Sequence, residues 1–515
     1  MKIPKSLIII LLLMLIGYFV SIASLINNHK IKEKNFYPID FNKQWQKIDS
    51  LVNKGLPKSA LEIVNLIYDS ARAEHNYPQY IKAIIYKINL KSEFEENYLQ
   101  NYVNELNNEI EITTDPAAKS ILHSLLADIY WKYYNNNRYY LLKKTEISNF
   151  QQNDDINTWD SKKIIEKTIY HYLQSLKNNN DLQNIKVDIY DPIIIKDSTT
   201  RKFRPTLYDF LAHRAVDFFM NTELDIITHT YKFELDNQEY FSAPNIFTNI
   251  FIQNADSFSL KFYALSLLQN LEKFHLNDTN PDALIDVCLK RLNFVHKNSI
   301  NDDKDSLYIN TLYYLEKKYT SHPYSTMISY QLAFEYYKLG QNYHHITSPE
   351  YKNYITKAYQ ICKKAIEKFP KTDGANNCNA LIENIEKKIL LFTNETAEPA
   401  NKPFRVLISY KNVNNIFLRI IKISPEENLK LTNKYSSNEL ISKYLQITPL
   451  KQWEIQMPKD EDFQQHSVEI AMPALPLGFY ILLISTDANF STQNSNIVAY
   501  NNIWISNLNY IFRKK

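Results

Sequence analysis

Glycine is almost missing from this chain. Gly17, Gly55, Gly340, Gly374 and Gly478 are the whole supply in 515 residues, and the closest two are Gly340 and Gly374. A phosphate-cradling loop or a dinucleotide fingerprint needs several glycines within a few positions, so that backbone can approach phosphate. Neither can be assembled here, which excludes the usual nucleotide-dependent chemistry. Cysteine is as thin. Cys288, Cys362 and Cys378 are an odd set without Cys-x-x-Cys spacing, which excludes a cysteine zinc site or a redox motif. Charge of one sign is also lacking: 59 basic and 56 acidic residues are mixed along the chain, for a net charge of +3. No basic stripe exists to hold nucleic acid.

What is present is an ordinary globular composition, 45% hydrophobic and 22% charged, in a chain too long for one hydrophobic core. It opens with Lys2 and Lys5 ahead of an uncharged run over residues 6–28, cored by Leu7-Ile-Ile-Ile-Leu-Leu-Leu-Met-Leu-Ile16. About 20 apolar residues can span a bilayer, while Ser21-Ile-Ala23 offers small residues that suit signal cleavage. The run reads as a membrane anchor or a cleaved signal, and both alternatives stand. Either one places the chain from about Lys30 onward outside the cytoplasm, anchored on the periplasmic side of an inner membrane or exported. No cysteine lies near the run, which excludes a lipoprotein anchor.

From Phe41 the apolar period is helical. Trp45, Ile48 and Leu51 share one face; Gly55-Leu-Pro57 turns the chain; Ala60, Ile63, Val64, Ile67, Tyr68 and Ala71 form an amphipathic stripe. Ile81, Ile84, Ile85 and Ile88 mark a third helix, which bends at Lys91–Glu96 into another over residues 98–110. Asp115-Pro116 caps a helix carrying Ile121, Leu122, Leu125 and Ile129, and Asn153-Asp-Asp155 with Asp160 precedes one over residues 164–176. Pro205 opens a helix through Phe219, residues 223–254 read as aromatic-rich loop, and helices resume at 257–274, 281–296 and 306–319. Short turns between antiparallel helices predict a solenoid-like array.

The segment from Pro323 to Ser409 joins two halves of different period. Tyr330, Leu332, Ala333, Tyr336 and Tyr337 face one side of a helix that stops at Gly340, and a second runs from Tyr351 to Phe369. Ala358, Cys362, Ala365 and Pro370 are spaced like the packing residues and terminating proline of a tetratricopeptide unit. The preceding helix lacks that motif's Trp, Leu-Gly and Tyr signature at the expected offsets, so the expectation is a similar helical hairpin, not a regular array. Lys371-Thr-Asp-Gly374 turns the chain into a last helix ending near Lys388. Cys362 and Cys378 flank this turn. Counted at about 1.5 Å per helical residue, their stagger strains the roughly 7 Å disulfide limit, so buried thiols are expected.

Beyond this point the pattern is β. Ile389–Phe392, Phe404–Ser409, Ile416–Ile423, Val468–Ala471, Phe479–Ser485, Ile497–Tyr500 and Ile503–Ser506 read as strands. Lys411–Asn415 reads as a hairpin turn, Leu445, Ile447, Leu450 and Trp453 as the start of a further strand, and no helical pattern long enough for a crossover interrupts this all-β reading. The prediction is a multidomain α plus β chain: residues 1–28 signal or anchor, 36–388 a helical tetratricopeptide-like region, 389–512 an antiparallel β-sandwich.

Four groups invite a chemical reading. Tyr130-Trp-Lys-Tyr-Tyr134 with Arg138-Tyr-Tyr140 suggests an aromatic platform, although packing against a neighbouring helix is the expectation among so many tyrosines. His213, Arg214 and Asp217 lie on adjacent turns without a nucleophile, as an ordinary i, i+4 pair would. Asn301-Asp-Asp-Lys-Asp305 has the acidic density of a calcium loop but lacks its glycine and closing glutamate, so a solvated helix start is expected. His344-His345 with Glu350 reads as surface loop, and no His-Glu-x-x-His occurs. No catalytic, cofactor-binding or metal residue is therefore assigned, and no cofactor is expected.

Lys54-Gly-Leu-Pro-Lys-Ser-Ala-Leu61, Arg204-Pro-Thr-Leu-Tyr-Asp-Phe-Leu-Ala-His-Arg-Ala215, Ala365-Ile-Glu-Lys-Phe-Pro370 and Leu475-Pro-Leu-Gly-Phe-Tyr480 leading to Trp504-Ile-Ser506 together resemble the N-terminal region of bacterial alpha-2-macroglobulin-like proteins. The resemblance implies an export signal, a helical tetratricopeptide-like region and a first macroglobulin-type β-sandwich. Covalent protease traps of that family carry a Cys-Gly-Glu-Gln thioester, and none of the three cysteines stands in such a context. The resemblance therefore implies a truncated or split member without bait region or thioester: a non-catalytic envelope docking module. Its partner would be an envelope protein, such as a separate macroglobulin-like chain or a protease. The alternative is a tetratricopeptide-like scaffold for envelope assembly or polysaccharide handling.

Overall fold

The computed structural model describes residues 40–96, 98–143, 155–195, 200–221, 233–253, 259–491 and 496–508. The apolar run at 6–28, Asn153 and Asp154, residues 223–232 of the aromatic-rich segment, and the chain beyond Leu508 lie outside them. Among the described residues, no helix is long and apolar enough to cross a membrane.

The described residues are mixed α plus β, helical between Phe41 and Glu386 and carrying two sheets after that. In order, the helices are α1 (Phe41–Asn53), α2 (Pro57–Ala73), α3 (Tyr77–Ser92), α4 (Tyr98–Ile112), α5 (Pro116–Leu141), α6 (Ser161–Gln174), α7 (Asn179–Gln183) and α8 (Leu207–Phe219). Next come α9 (Pro244–Phe247), α10 (Leu260–His275), α11 (Asp282–Asn298), α12 (Lys304–Lys318), α13 (Ser325–Gly340), α14 (Tyr354–Lys368) and α15 (Asp373–Glu386). Two compact units result. One takes the described residues up to Glu234 and from Phe251 to Val287; the other takes Leu235–Ile250 and the described chain from Cys288 onward.

Local chemistry sets the helix ends. The carboxylates of Asp115 and Asp160 accept from the Ala118 and Lys163 amides at 2.6 and 2.8 Å, each cap contributing about 1 kcal/mol. The helix expected from Pro205 instead begins at Leu207. Thr206 and Asp209 close a capping box there, while the Pro205 carbonyl accepts from the Val187 amide at 3.0 Å. Likewise Thr372 caps α15, so Asp373 and Gly374, expected in a turn, are already helical. The segment expected as loop around Pro244 contains α9 and a 3-10 turn at Gln238–Phe241.

In the second unit, α13, α14 and α15 enclose one apolar cluster: Ala333, Ile355, Ala358, Cys362, Ala365, Cys378, Leu381, Ile382 and Ile385. The three cysteines are free and buried, as expected for Cys362 and Cys378. Cys362 and Cys378 touch, and that contact with burial pushes the Cys362 thiol far up, keeping it protonated. Two of the rare glycines stand where helices meet. A Cβ on Gly374 would lie 2.4 Å from the Met327 nitrogen and the Thr326 carbonyl carbon, and one on Gly340 would lie 2.7 Å from Ile355 Cγ1.

The strands are β1 (Ile389–Thr393), β2 (Ala397–Glu398), β3 (Phe404–Lys411), β4 (Asn415–Lys422), β5 (Lys451–Gln456), β6 (His466–Met472), β7 (Gly478–Ser485) and β8 (Val498–Ile505). One sheet has the order β1-β3-β6, the other β2-β8-β7-β4-β5, antiparallel except where β2 runs parallel to β8. Leu390, Val406, Ile408 and Ile470 of the first sheet share a single core with Ile416, Leu418, Tyr480, Leu482 and Ile503 of the second.

Three expectations fail here. Lys411–Asn415 is not a hairpin turn, because β3 and β4 belong to different sheets; Asn412 adopts φ 55° and its side-chain amide donates to the Ile385 carbonyl at 2.7 Å, turning the chain from one layer to the other. Two helices, α16 (Pro425–Lys434) and α17 (Ser437–Leu445), interrupt the strands, so Leu445, expected to begin a strand, is helical and β5 starts only at Lys451. They and Phe490 cover the second face of the larger sheet, where Leu440 and Tyr444 pack on Ile421, Phe479, Ile481 and Leu483. The third correction joins the two last strands into one, since β8 runs unbroken from Val498 to Ile505.

Gly374→Ala forces a methyl group against backbone that cannot yield. Overpacking of this kind costs about 1–3 kcal/mol. A thermal melt of the purified variant should show a Tm at least about 3 °C below that of the parent protein, and an unchanged Tm would contradict the close packing of α15 on α13.

Candidate functional site

In the first unit a groove of about 550 Å³ opens among α3, α4 and α5. Tyr98, Gln100, Tyr133, Asn136, Asn137 and Asn157 line it, with Glu96 and Lys132 among the lining residues. Its walls are held from behind. The Tyr102 hydroxyl donates to the Ile88 carbonyl, tying α4 to α3, and the Tyr98 ring meets Tyr102 edge-on at 5.5 Å. Gln100 accepts the Ile156 amide at 2.7 Å, which anchors a 3-10 turn over Ile156–Thr158 beside α4. On α5, Asn137 donates to the Tyr133 carbonyl one turn back at 2.9 Å. Burial, with Tyr140 and Asp155 adding to it, pushes the Tyr133 hydroxyl up, so it stays a neutral phenol. The lining thus offers amides, phenols and flat aromatic area, with one carboxylate and one ammonium.

The aromatic stretches expected to pack do so only in part. Because α5 continues as one helix of 26 residues, Tyr130 and Tyr134 fall on the buried face, whereas Tyr133 reaches the groove and Tyr139 is 87% exposed. Tyr130 packs on Trp159, and Trp131 on Tyr134 and Phe218.

Three buried polar centres in the same unit had no local signal in the sequence. In the first, Glu109 accepts from the Tyr68 hydroxyl at 2.6 Å and from the Tyr80 hydroxyl, which joins α2, α3 and α4. In the second, His275 lies between two carboxylates, its Nε2 2.7 Å from Asp209 Oδ1 and its Nδ1 2.7 Å from Asp278 Oδ2. Burial favours neutral imidazole there, but the hydrogen bonds and charges of Asp209 and Asp278 outweigh it and hold the His275 pKa above its usual value. In the third, His123 and His171 face each other with their Nδ1 atoms 2.9 Å apart across α5 and α6. Burial, then the neighbouring Lys119, pulls His123 down to about 4; burial, then His123 and Lys167, pulls His171 down to about 3. The His275 imidazole is 2% exposed, too deep to meet a substrate.

The remaining sequence candidates separate in space. On α8, His213 is buried and Asp217, one turn on, is exposed, while the Arg214 guanidinium reaches Ser124 Oγ at 3.1 Å on α5. His344 and His345 stack on one another in an exposed loop, and Glu350 is also exposed. In the acidic segment Asn301 caps backbone, accepting the Asp303 amide at 2.9 Å, as a helix start should. Asp305, however, meets His296 and Glu335, three ligand-bearing groups of the second unit within 4.8 Å of one another. Arg291, fully buried, donates to the Tyr240 and Ser242 carbonyls and lies over the Phe247 ring at 4.1 Å, which fixes the segment carrying α9.

No family model and no curated protein matches the chain.

The histidine centres give the first unit a stability optimum in pH. The His123–His171 pair is held neutral when folded but protonates when unfolded, so the unfolded state binds more protons and stability falls with pH from about 6.5 towards 4. The drop is on the order of 3 kcal/mol, with the partial solvent access of His123 discounted. His275 acts oppositely: its contribution is complete below the ordinary histidine pKa of about 6.5 and is lost as pH rises through its raised value. Urea midpoints measured across pH should therefore peak near neutrality. The double variant His123→Gln, His171→Gln should flatten the acid limb and His275→Gln the alkaline limb; limbs unchanged in these variants would refute the assignment.

Proposed function

We propose that the chain is a non-catalytic docking module of the cell envelope, built like the N-terminal part of an alpha-2-macroglobulin-like protein. In this reading the helices form a tetratricopeptide-like array and the two sheets a macroglobulin-type sandwich. The shared core between the sheets and the small packing residues Ala358, Cys362 and Ala365 of α14 support that reading. The apolar run at 6–28 either anchors the chain to the membrane or directs its export.

The observation that carries the reading is the groove between α3, α4 and α5. Tyrosine supplies large contact area at low entropic cost, and asparagine and glutamine supply adaptable hydrogen bonds. Such a lining suits recognition of a polypeptide and offers no nucleophile paired with a base. The partner is a protein of the envelope, a separate macroglobulin-like chain or a protease being the candidates. A second reading, handling of an envelope polysaccharide by a scaffold protein, draws on the same amide and phenol lining, since these groups also bind sugar hydroxyls.

Native co-purification from the protein's own cells tests the proposal. The parent chain should retain an envelope protein that the double variant Tyr98→Ala, Tyr133→Ala loses by about tenfold or more, as loss of two aromatic anchors implies. A macroglobulin chain or protease among the retained proteins supports the first reading, and polysaccharide-assembly components support the second. Equal retention by parent and variant would remove the groove from the account.

A further inference from the structure

The geometry points to a divalent transition-metal site in the second unit, formed by His296, Asp305 and Glu335 and suited to Zn²⁺. The three residues come from the last turn of α11, the first turn of α12 and the middle of α13. His296 Nε2 lies 2.7 Å from Asp305 Oδ1 and 3.8 Å from Glu335 Oε1. A tetrahedral zinc with ligands at about 2.0–2.1 Å separates neighbouring ligand atoms by roughly 3.3 Å. The two distances bracket that value, so small side-chain rotations would complete the site.

A second observation is independent of this spacing. Glu335 is 3% exposed, and its Oε1 has no hydrogen-bond partner. A buried carboxylate oxygen without a donor is left with its desolvation uncompensated, and that oxygen is the one facing His296. Its other oxygen is engaged: Lys338 Nζ donates to Oε2 at 2.8 Å, which orients the carboxylate for one-oxygen coordination, as outer partners of metal ligands do. The imidazole is also fixed, stacked parallel to the Tyr308 ring at 4.3 Å and 5°, while the Tyr308 hydroxyl donates to Asn293. Two carboxylates neutralise a divalent ion. The Asp305 side chain is 44% exposed, leaving a path for entry and a fourth position for water.

The donor set selects the class of ion. One imidazole nitrogen with two carboxylates suits zinc or manganese. Calcium takes six to eight oxygen ligands and magnesium an octahedron of oxygens, and three residues including a nitrogen donor supply neither.

Calorimetric titration of the full-length chain tests the site, with the protein prepared without a polyhistidine tag and stripped with chelator. Zn²⁺ alone is the probe, and Co²⁺ reports geometry by its visible absorption. The expected result is one equivalent of zinc, a raised Tm, and a tetrahedral cobalt spectrum. Glu335→Gln and Asp305→Asn should each weaken binding at least tenfold, with the exposed position of Asp305 guarding against loss of fold. The double variant His344→Ala, His345→Ala should bind as the parent does. Absence of zinc binding, or binding unchanged in Glu335→Gln and Asp305→Asn, or binding lost with His344 and His345, would overturn the proposal.

Discussion

A charge removed from water must be matched within a few ångströms, and in this chain that requirement ties together helices far apart in sequence. Glu109 draws in hydroxyls from two preceding helices. The Asp209 carboxylate both accepts the Thr206 amide in the capping box of α8 and holds His275, 66 positions on. Arg291 reaches back 51 positions to a carbonyl of the segment before α9. An unmatched buried charge costs several kcal/mol, more than any local propensity contributes. These contacts therefore decide which helices meet. They also occupy side chains that would otherwise suggest acid–base chemistry.

The sheets obey a different constraint. Phe479–Ile484 is an unbroken apolar run, as suits a strand buried on both faces, by the opposite sheet on one side and by α16, α17 and Phe490 on the other. A strand with one wet face would alternate. That run was visible in the sequence and called for a second cover, as did the helix-start signals Ser424-Pro-Glu-Glu427 and Ser436-x-x-Glu439, both of which cap helices. Reading the region as strands alone missed the cover.

Most helices were legible because a 3.6-residue apolar period and an N-terminal cap are local properties, as at Ala60–Ala71 and Asp115-Pro116. The departure of β4 into another sheet was not, since a short asparagine-rich link such as Asn412-Val413-Asn414 has the same composition in a hairpin and in a crossing. Nor were the site residues. His123 and His171 stand 48 positions apart, and His296, Asp305 and Glu335 come from three helices without a recurring interval. The groove lay half in view: the tyrosines of α5 were evident, but which of them face inward depended on the helix continuing to Leu141.

We propose that the buried polar centres of the first unit serve its framework and that recognition falls to the tyrosine- and asparagine-lined groove. Hydrogen exchange of the full-length chain, with and without solubilised envelope proteins, tests this most directly. The account predicts slowed exchange concentrated at Tyr98–Gln100 and Lys132–Asn137. Exchange unchanged in those segments, with protection elsewhere in the chain, would contradict it.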